Sequence, residues 1–301
     1  MKRDHGLRVL NELPSAAEIS EIPRLNHMVG DSNVDEHELS GLPPELADRI
    51  REEAAENDEI YRRRSTDSLD LSRVHYFHSE MLDWAIRQIG NLRGARILDV
   101  GIGDGHTSVL MALAGAQVTG IEVSPVALAR AKTLAQRYGV DLNLQEMPGE
   151  DLRFENGAFD GILCVSAYHH MDQERAATEF ARVLRPGGRL VMIDPFATNP
   201  PAWLYRRVGQ FFSREATHRE TPLRVRDLRF LRQHFDRVEW RGMYLLSVGL
   251  IGLERVWKNP HPLVYRFTEA AFKWTSPLDS AVLKIPGLQR IAWKIAIVAQ
   301  R

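Results

Sequence analysis

The chain has 301 residues, 44% hydrophobic and 26% charged, the composition of an ordinary water-soluble globular protein with one large or two small domains. A formal net charge of −1 and a pI of about 6.8 supply no global field to gather nucleic acid or a membrane surface, so a nucleic-acid partner is not expected. The one cysteine, Cys164, excludes an internal disulfide; it reads as a small core residue and is compatible with the reducing cytoplasm, where the chain is expected to reside.

Residues 1–42 are polar and acidic, with no sustained period. Asp31, Asp35, Glu36 and Glu38 cluster beside His37; such a set can bind metal, but it reads as a solvated, flexible arm, and no metal is expected. No apolar segment follows the basic first residues, so no signal peptide is expected. Pro43-Pro44 opens a helix-favouring run to about Arg64. Val74, Phe77, Met81, Leu82, Ala85, Ile86 and Ile89 recur at helical spacing and predict an amphipathic helix before the first strand. We expect residues 1–56 to form a partly flexible extension and 57–301 the domain.

The stretch 95–100 shows no clean alternation and reads as a parallel strand covered on both faces. Gly101, Gly103 and Gly105 then allow a sharp turn, close approach of a ligand and a helix start with unpaired N–H groups. The dinucleotide pattern G-x-G-x-x-G would need a glycine at position 106, where His106 stands. A second strand at 117–122 ends in Glu122, 21 residues after Gly101, placed to accept both hydroxyls of a ribose. Ser124-Pro125 caps the next helix and Gly139 closes it. A third strand is expected at about 141–145 and a fourth at 159–165. Strands and helices alternate to Asp194, which lays the strands in one parallel sheet with the ligand at their carboxyl ends.

Leu98-Asp99-Val100-Gly101-Ile102-Gly103-Asp104-Gly105, the acid Glu122, the strand at 159–165 and Arg182-Val183-Leu184-Arg185-Pro186-Gly187-Gly188 succeed one another over about 100 residues. In that order they resemble the motifs of the class I S-adenosylmethionine (SAM) methyltransferases, of the small-molecule, type 11-like kind. The resemblance implies an α/β, Rossmann-like doubly wound sheet, mostly parallel with an antiparallel last strand, plus a helical cap. It also implies that Gly101, Gly103 and Gly105 hold the methionine end of SAM, supported by Asp99, with Glu122 and Val123 at the ribose. Residues 147–154 resemble the family's adenine loop, but the usual first acid is Pro148. That leaves Gly149, Glu150 and Asp151 for the adenine, with Val165 completing the cofactor set. Lead-in helices cover the cofactor in such proteins, making Tyr61 and Tyr76 candidate lid residues. The last strand, at about 292–300, would insert antiparallel between strands five and six.

Tyr168-His169-His170-Met171 ends the fourth strand, where an acceptor would meet the methyl group, and Asp194 ends the fifth. The stretch resembles "LHHMPD" of small-molecule methyltransferases, and a histidine can take a hydroxyl proton near neutral pH. His169, His170 and Asp194 are therefore the candidate catalytic residues. Strand alternation predicts that the two histidines point to opposite sides, one of them structural. Asp194 would orient a histidine, bind the acceptor or merely cap the strand. The Asn/Asp-Pro-Pro-aromatic motif of nucleobase and glutamine amino-methyltransferases is missing here, where Ser166-Ala167-Tyr168-His169 stands.

Beyond the fifth strand lie Trp203, Tyr205, Phe211 and Phe212, and ten arginines between Arg206 and Arg241. A helix at about 225–235 and a strand at about 237–246 come next, then Trp257, Tyr265, Phe267, Phe272 and Trp274. We expect cap segments at about 196–225 and 247–291 that bury these aromatics, first as a roof over the acceptor, second as a homodimer interface, last as a membrane-touching face. The longest apolar run, 243–253, is too short for the roughly 20 residues of a membrane span. The expected activity is methyl transfer from SAM, leaving S-adenosylhomocysteine, to a small-molecule acceptor, at a hydroxyl oxygen. Carbon or oxygen methylation of a lipid- or quinone-like acceptor, or methylation of an amine, is the alternative. A SAM-binding, non-catalytic partner subunit is the reading from another class.

Overall fold

Ile97 and Leu98 are neighbours in sequence and both fully buried, so β1 (Arg96–Val100) must lie between two layers. In the computed structural model, which describes residues 39, 41–66, 69–71, 76–199, 221–250 and 262–301, it does. The acidic arm around His37, and Trp203, Tyr205, Phe211, Phe212 and Trp257, lie outside those residues, as does the side chain of Tyr76. The strands are β1, β2 (Gln117–Glu122), β3 (Asn143–Glu146), β4 (Phe159–Val165), β5 (Leu184–Pro195), β6 (Arg237–Met243) and β7 (Lys294–Gln300). They form one sheet in the order β3-β2-β1-β4-β5-β7-β6, and β7 alone runs antiparallel to its neighbours. The expected mostly parallel sheet with an antiparallel last strand is the observed one. The order reverses between β1 and β4, so a crevice opens at their carboxyl ends.

Helices α1 (Pro44–Arg63), α2 (Tyr76–Ile89), α3 (His106–Leu113), α4 (Pro125–Arg137), α5 (Gln173–Val183), α6 (Leu228–His234) and α7 (Pro262–Val282) surround the sheet. Alternate strand residues go to opposite faces. Leu98, Ile162 and Cys164 pack with Ala177 and Phe180 of α5 and Leu231 of α6. Ile97, Leu163 and Val191 pack with Met81 and Ala85 of α2 and Phe272 of α7. Cys164 is thus a core residue.

α1 runs unbroken through residues 56 and 57, where extension and domain were expected to meet. It buries Leu46, Ala47, Ile50, Ala54 and Asp58. The Asp58 carboxylate accepts from Ser124 Oγ at 2.6 Å and Val126 N at 3.3 Å, fastening α1 to the first turn of α4. Ser124 caps that helix as expected, accepting from Ala127 N at 3.1 Å.

Three departures have local causes. β6 ends at Met243 rather than 246 because Tyr244 takes a left-handed backbone, φ 61°, and leaves the strand. The helix expected at 225–235 is a 3-10 turn, Val225–Asp227, followed by α6. The third is α7. Phe272 is buried against Tyr244, but Phe267 and Trp274 are 67% and 83% exposed, and no residue of α7 lines either cavity at the carboxyl ends of the strands. α7 stands beside α2, where Ser276 Oγ donates to the Glu80 carboxylate at 2.5 Å. The expected aromatic roof is not formed by this helix.

Candidate functional site

β1 ends in the glycine turn. Gly101 and Gly103 have φ of 70° and 55°, and a Cβ on Gly101 would stand 2.5 Å from Ala167 Cβ, so a side chain fits neither the backbone nor the space. A Cβ on Gly105 would meet Ala131 at 2.9 Å; this third glycine serves helix packing and lines no cavity. Arg64 at the end of α1 and Arg130 on α4 both hold Asp104, at 3.0 and 2.6 Å, tying the turn to its neighbours.

A cavity of about 240 Å³ opens at the carboxyl ends of β1, β2 and β4. Six of the residues proposed from the sequence for the cofactor, Gly101, Glu122, Val123, Gly149, Glu150 and Val165, line it. Glu122 Oε2 accepts from Gly103 N at 3.2 Å, and Oε1 from Val123 N at 3.0 Å and Ser124 N at 3.3 Å. Burial nevertheless outweighs these donors and raises its carboxyl. Asp99 lies behind the loop, where it accepts from Ser108 Oγ at 2.7 Å and fixes the first turn of α3; burial, only partly offset by that hydroxyl, lifts it to about 7. Glu150 pairs with Arg49 and accepts from Asp172 N at 2.9 Å. Asp151 lines neither cavity.

A second cavity, of about 390 Å³, is lined by His169, His170, Met171, Asp172 and Gln173, with Phe230 and the α1 residues Arg49, Glu52, Glu53 and Glu56. The two cavities share Glu53, His170 and Met171. His169 and His170 do not alternate as strand residues would. Ser166 has φ 56°, β4 ends, and Tyr168–His170 forms a 3-10 turn that stacks the two imidazoles with centroids 4.0 Å apart. The expectation of opposite sides fails because the strand stops before it reaches them. Strain at Ser166, which is held by Lys294 Nζ at 2.9 Å and by its own N–H to Ile193 O at 2.8 Å, is the kind stored at functional sites.

His169 Nδ1 lies 2.6 Å from Asp194 Oδ1, and Asp194 is wholly buried. Its Oδ2 finds no partner among the described residues. Asp194 therefore faces the His169 ring rather than solvent at the strand end. His170 Nδ1 stands 3.9 Å from Glu53 Oε1. Glu53 is the residue that sequence reasoning misses. Burial, then Glu150 and Glu122, push its carboxyl up to about 8 against the pull of Arg49. A signal exists: Arg49, Glu53, Asn57 and Tyr61 recur every fourth residue beside the buried stripe of α1, and all four line a cavity.

The donor set fits a cationic, hydroxyl-bearing cofactor. Three carboxyls, Glu53, Glu122 and Glu150, face the smaller cavity, and its one lining arginine, Arg64, is held by Asp104. The glycine turn leaves room for close backbone approach. Among the described residues, no group of three or more His, Cys, Asp or Glu is placed to hold a metal ion.

Residues 98–192 match a family described as a methyltransferase domain. The chain is similar to ubiquinone biosynthesis O-methyltransferases of Aeromonas salmonicida, 36% identical over 142 residues, and Bordetella parapertussis, 33% over 141. Each match covers 46% of this chain but only 59% and 58% of the relative, so the chain spans less than two thirds of their length. In fold it is similar to YcgJ of Bacillus subtilis (TM-score 0.52, 20% identity, 74% of this chain and 99% of that one). It is equally similar to the [4+2]-cyclase SpnF (TM-score 0.52, 23% identity, 74% and 80%). The observed strand order and the glycine turn agree with these matches: residues 98–192 match a methyltransferase domain.

Proposed function

We propose that this chain transfers a methyl group to a hydroxyl oxygen of a small organic acceptor, with SAM in the smaller cavity and the acceptor in the larger. When bound, SAM supplies an electrophilic methyl on a sulfonium. Gly101, Gly103 and Asp99 shape the turn that receives its methionine end; Glu122 and Val123 take the ribose, and Gly149 and Glu150 flank the adenine. Gly105 contributes by seating α3 on α4.

The observation that carries the oxygen reading is His169 on the wall of the larger cavity, backed by the wholly buried Asp194. Asp194 Oδ1 accepts from Nδ1–H, which leaves Nε2 as the basic nitrogen, and the buried carboxylate stabilises the imidazolium that forms. The acceptor O–H bond breaks toward His169 while its oxygen takes the methyl, so the proton ends on the imidazole. His170 and Met171, in the wall between the cavities, align the two ligands; alignment of this kind supplies several kcal/mol.

A quinone-like ring hydroxyl is the finer reading of the acceptor, supported by the names of the relatives, O-methyltransferases of ubiquinone biosynthesis. The reading from another class is a SAM-binding, non-catalytic partner subunit that keeps the fold. Incubating the protein with isotopically labelled SAM and a panel of hydroxylated aromatic and quinol acceptors tests both. Label should enter an oxygen, and His169→Ala should lower turnover about 10²–10⁴-fold with SAM affinity nearly unchanged. Label in an amine nitrogen, or full turnover by His169→Ala, overturns the base assignment; SAM binding with no transfer to any acceptor favours the partner-subunit reading.

A further inference from the structure

The far side of α7 has no role in the proposed transfer, yet its composition is not that of a solvated surface. Phe267, Trp274 and Leu278 lie at helical spacing on one face and are 67%, 83% and 51% exposed, and Ile285 continues the stripe in the following turn at 52%. Ala270, Pro277 and Ala281 fill the gaps between them, all exposed. A cation immediately precedes each of three large apolar residues: Arg266 before Phe267, Lys273 before Trp274, Lys284 before Ile285. One edge of the stripe is therefore basic, and the nearby acid Glu269 holds Lys273 at 2.9 Å. The opposite face is anchored. Phe272 is in the core, and Asp279 accepts from Leu246 N, Ser247 N and Ser247 Oγ at 2.6, 3.1 and 2.6 Å.

An exposed stripe of this size needs an occupant. Its area argues against a second copy of the chain. An aromatic side chain buries roughly 150–250 Å². At the observed exposures the four large residues offer roughly 400–500 Å², well below the about 800 Å² per partner of a standard interface. An antiparallel two-fold pairing of α7 would also bring the two basic edges to the same side. A lipid surface has neither requirement. Phe, Trp and Leu beside Lys and Arg, on a helix lying flat, is the pattern that seats at the boundary between headgroups and acyl chains.

We propose that this face of α7 docks on anionic phospholipid bilayers, the apolar stripe entering the boundary region and Arg266, Lys273 and Lys284 meeting lipid phosphates. No described helix is long and apolar enough to cross a membrane, so the contact is peripheral. The membrane-touching face, ranked last from the sequence, thus becomes the favoured reading, because Arg266 and Lys273 stand on the helix itself and Lys284 in the turn after it.

Co-sedimentation of the full chain with phosphatidylcholine vesicles, with and without phosphatidylglycerol, tests the proposal. Wild type should bind the phosphatidylglycerol vesicles, and Phe267→Gln with Trp274→Gln should lose at least about tenfold in partitioning. Arg266→Glu with Lys284→Glu should bring binding on anionic vesicles down to that on neutral ones. Thermal melting checks that each variant folds; should the double apolar variant fail, Trp274→Gln alone, at the most exposed position, gives the same readout. No binding by wild type, or equal binding by the apolar variant, overturns the proposal. So does self-association of wild type in sedimentation velocity that the apolar variant abolishes while vesicle binding is absent, which would make a second copy the occupant.

Discussion

Glu53 carries the least ordinary charge at the site. Burial and the carboxyls of Glu150 and Glu122 raise it from 4.5 to about 8, so the folded chain keeps a proton that the unfolded chain has lost at neutral pH. Its contribution to stability is full below about pH 4.5 and disappears as pH rises through about 8. The same direction holds for Asp99, Glu122 and Glu150, so the melting temperature should fall between those limits, and Glu53→Gln should make the fall shallower without removing it. A cationic ligand in the neighbouring cavity favours the ionised carboxyl; SAM affinity should thus rise with pH near 8 in wild type and stay flatter in Glu53→Gln, as calorimetry can measure. An identical pH slope in both proteins would remove Glu53 from the account. Glu122, His169 and Asp194 were legible in the sequence because each stands at or just past the end of a strand within one contiguous run of motifs. Glu53 was not, because α1 meets the site only through tertiary packing: Arg49, one turn away, reaches His170 and Glu150 at separations of 121 and 101 residues.

At the scale of elements, α1 is held by its polar residues as well as its apolar stripe. Asp58 stands in for part of the α4 cap, taking Ser124 Oγ and Val126 N on one carboxylate oxygen. Asp58→Ala should cost about 1–2 kcal/mol, the range of a lost helix cap, read as a lower urea midpoint with an unchanged slope. Because α1 also walls both cavities, the same variant should bind SAM more weakly; full stability with intact binding would show that α1 docks by its apolar stripe alone. Strands and amphipathic helices were legible from their periods. Periods could not reveal single backbone choices, the left-handed Ser166 and Tyr244, each of which lies just past a strand and redirects the chain beyond it. The burial of α7 was misread for a related reason: five aromatics in a short stretch give the amount of apolar surface, not which side of the helix it occupies.

For the molecule as a whole, hydrophobic pattern and crossover handedness sufficed for a parallel sheet with its ligand at the carboxyl ends. The position of β7 between β5 and β6 came from the family resemblance, since no local property of residues 294–300 states which neighbours they join. The methyltransferase match ends at residue 192, whereas α1 and Lys294 bring residues from well outside it to the same crevice. Two cavities divided by one wall of Glu53, His170 and Met171 are not independent compartments. Whatever one ligand does to the position or charge of that wall, the other must feel, and free energy around the closed cycle of binding steps forces the effect to be mutual. A methylated product that tightens S-adenosylhomocysteine by some factor is itself tightened by that factor, within the range of about 5–150-fold usual for coupled sites. Titrating each ligand with and without saturating amounts of the other measures the factor from both directions. A value of one would mean that the wall is inert; a value well above one would make the turnover cycle hold its spent cofactor until the methylated product has left.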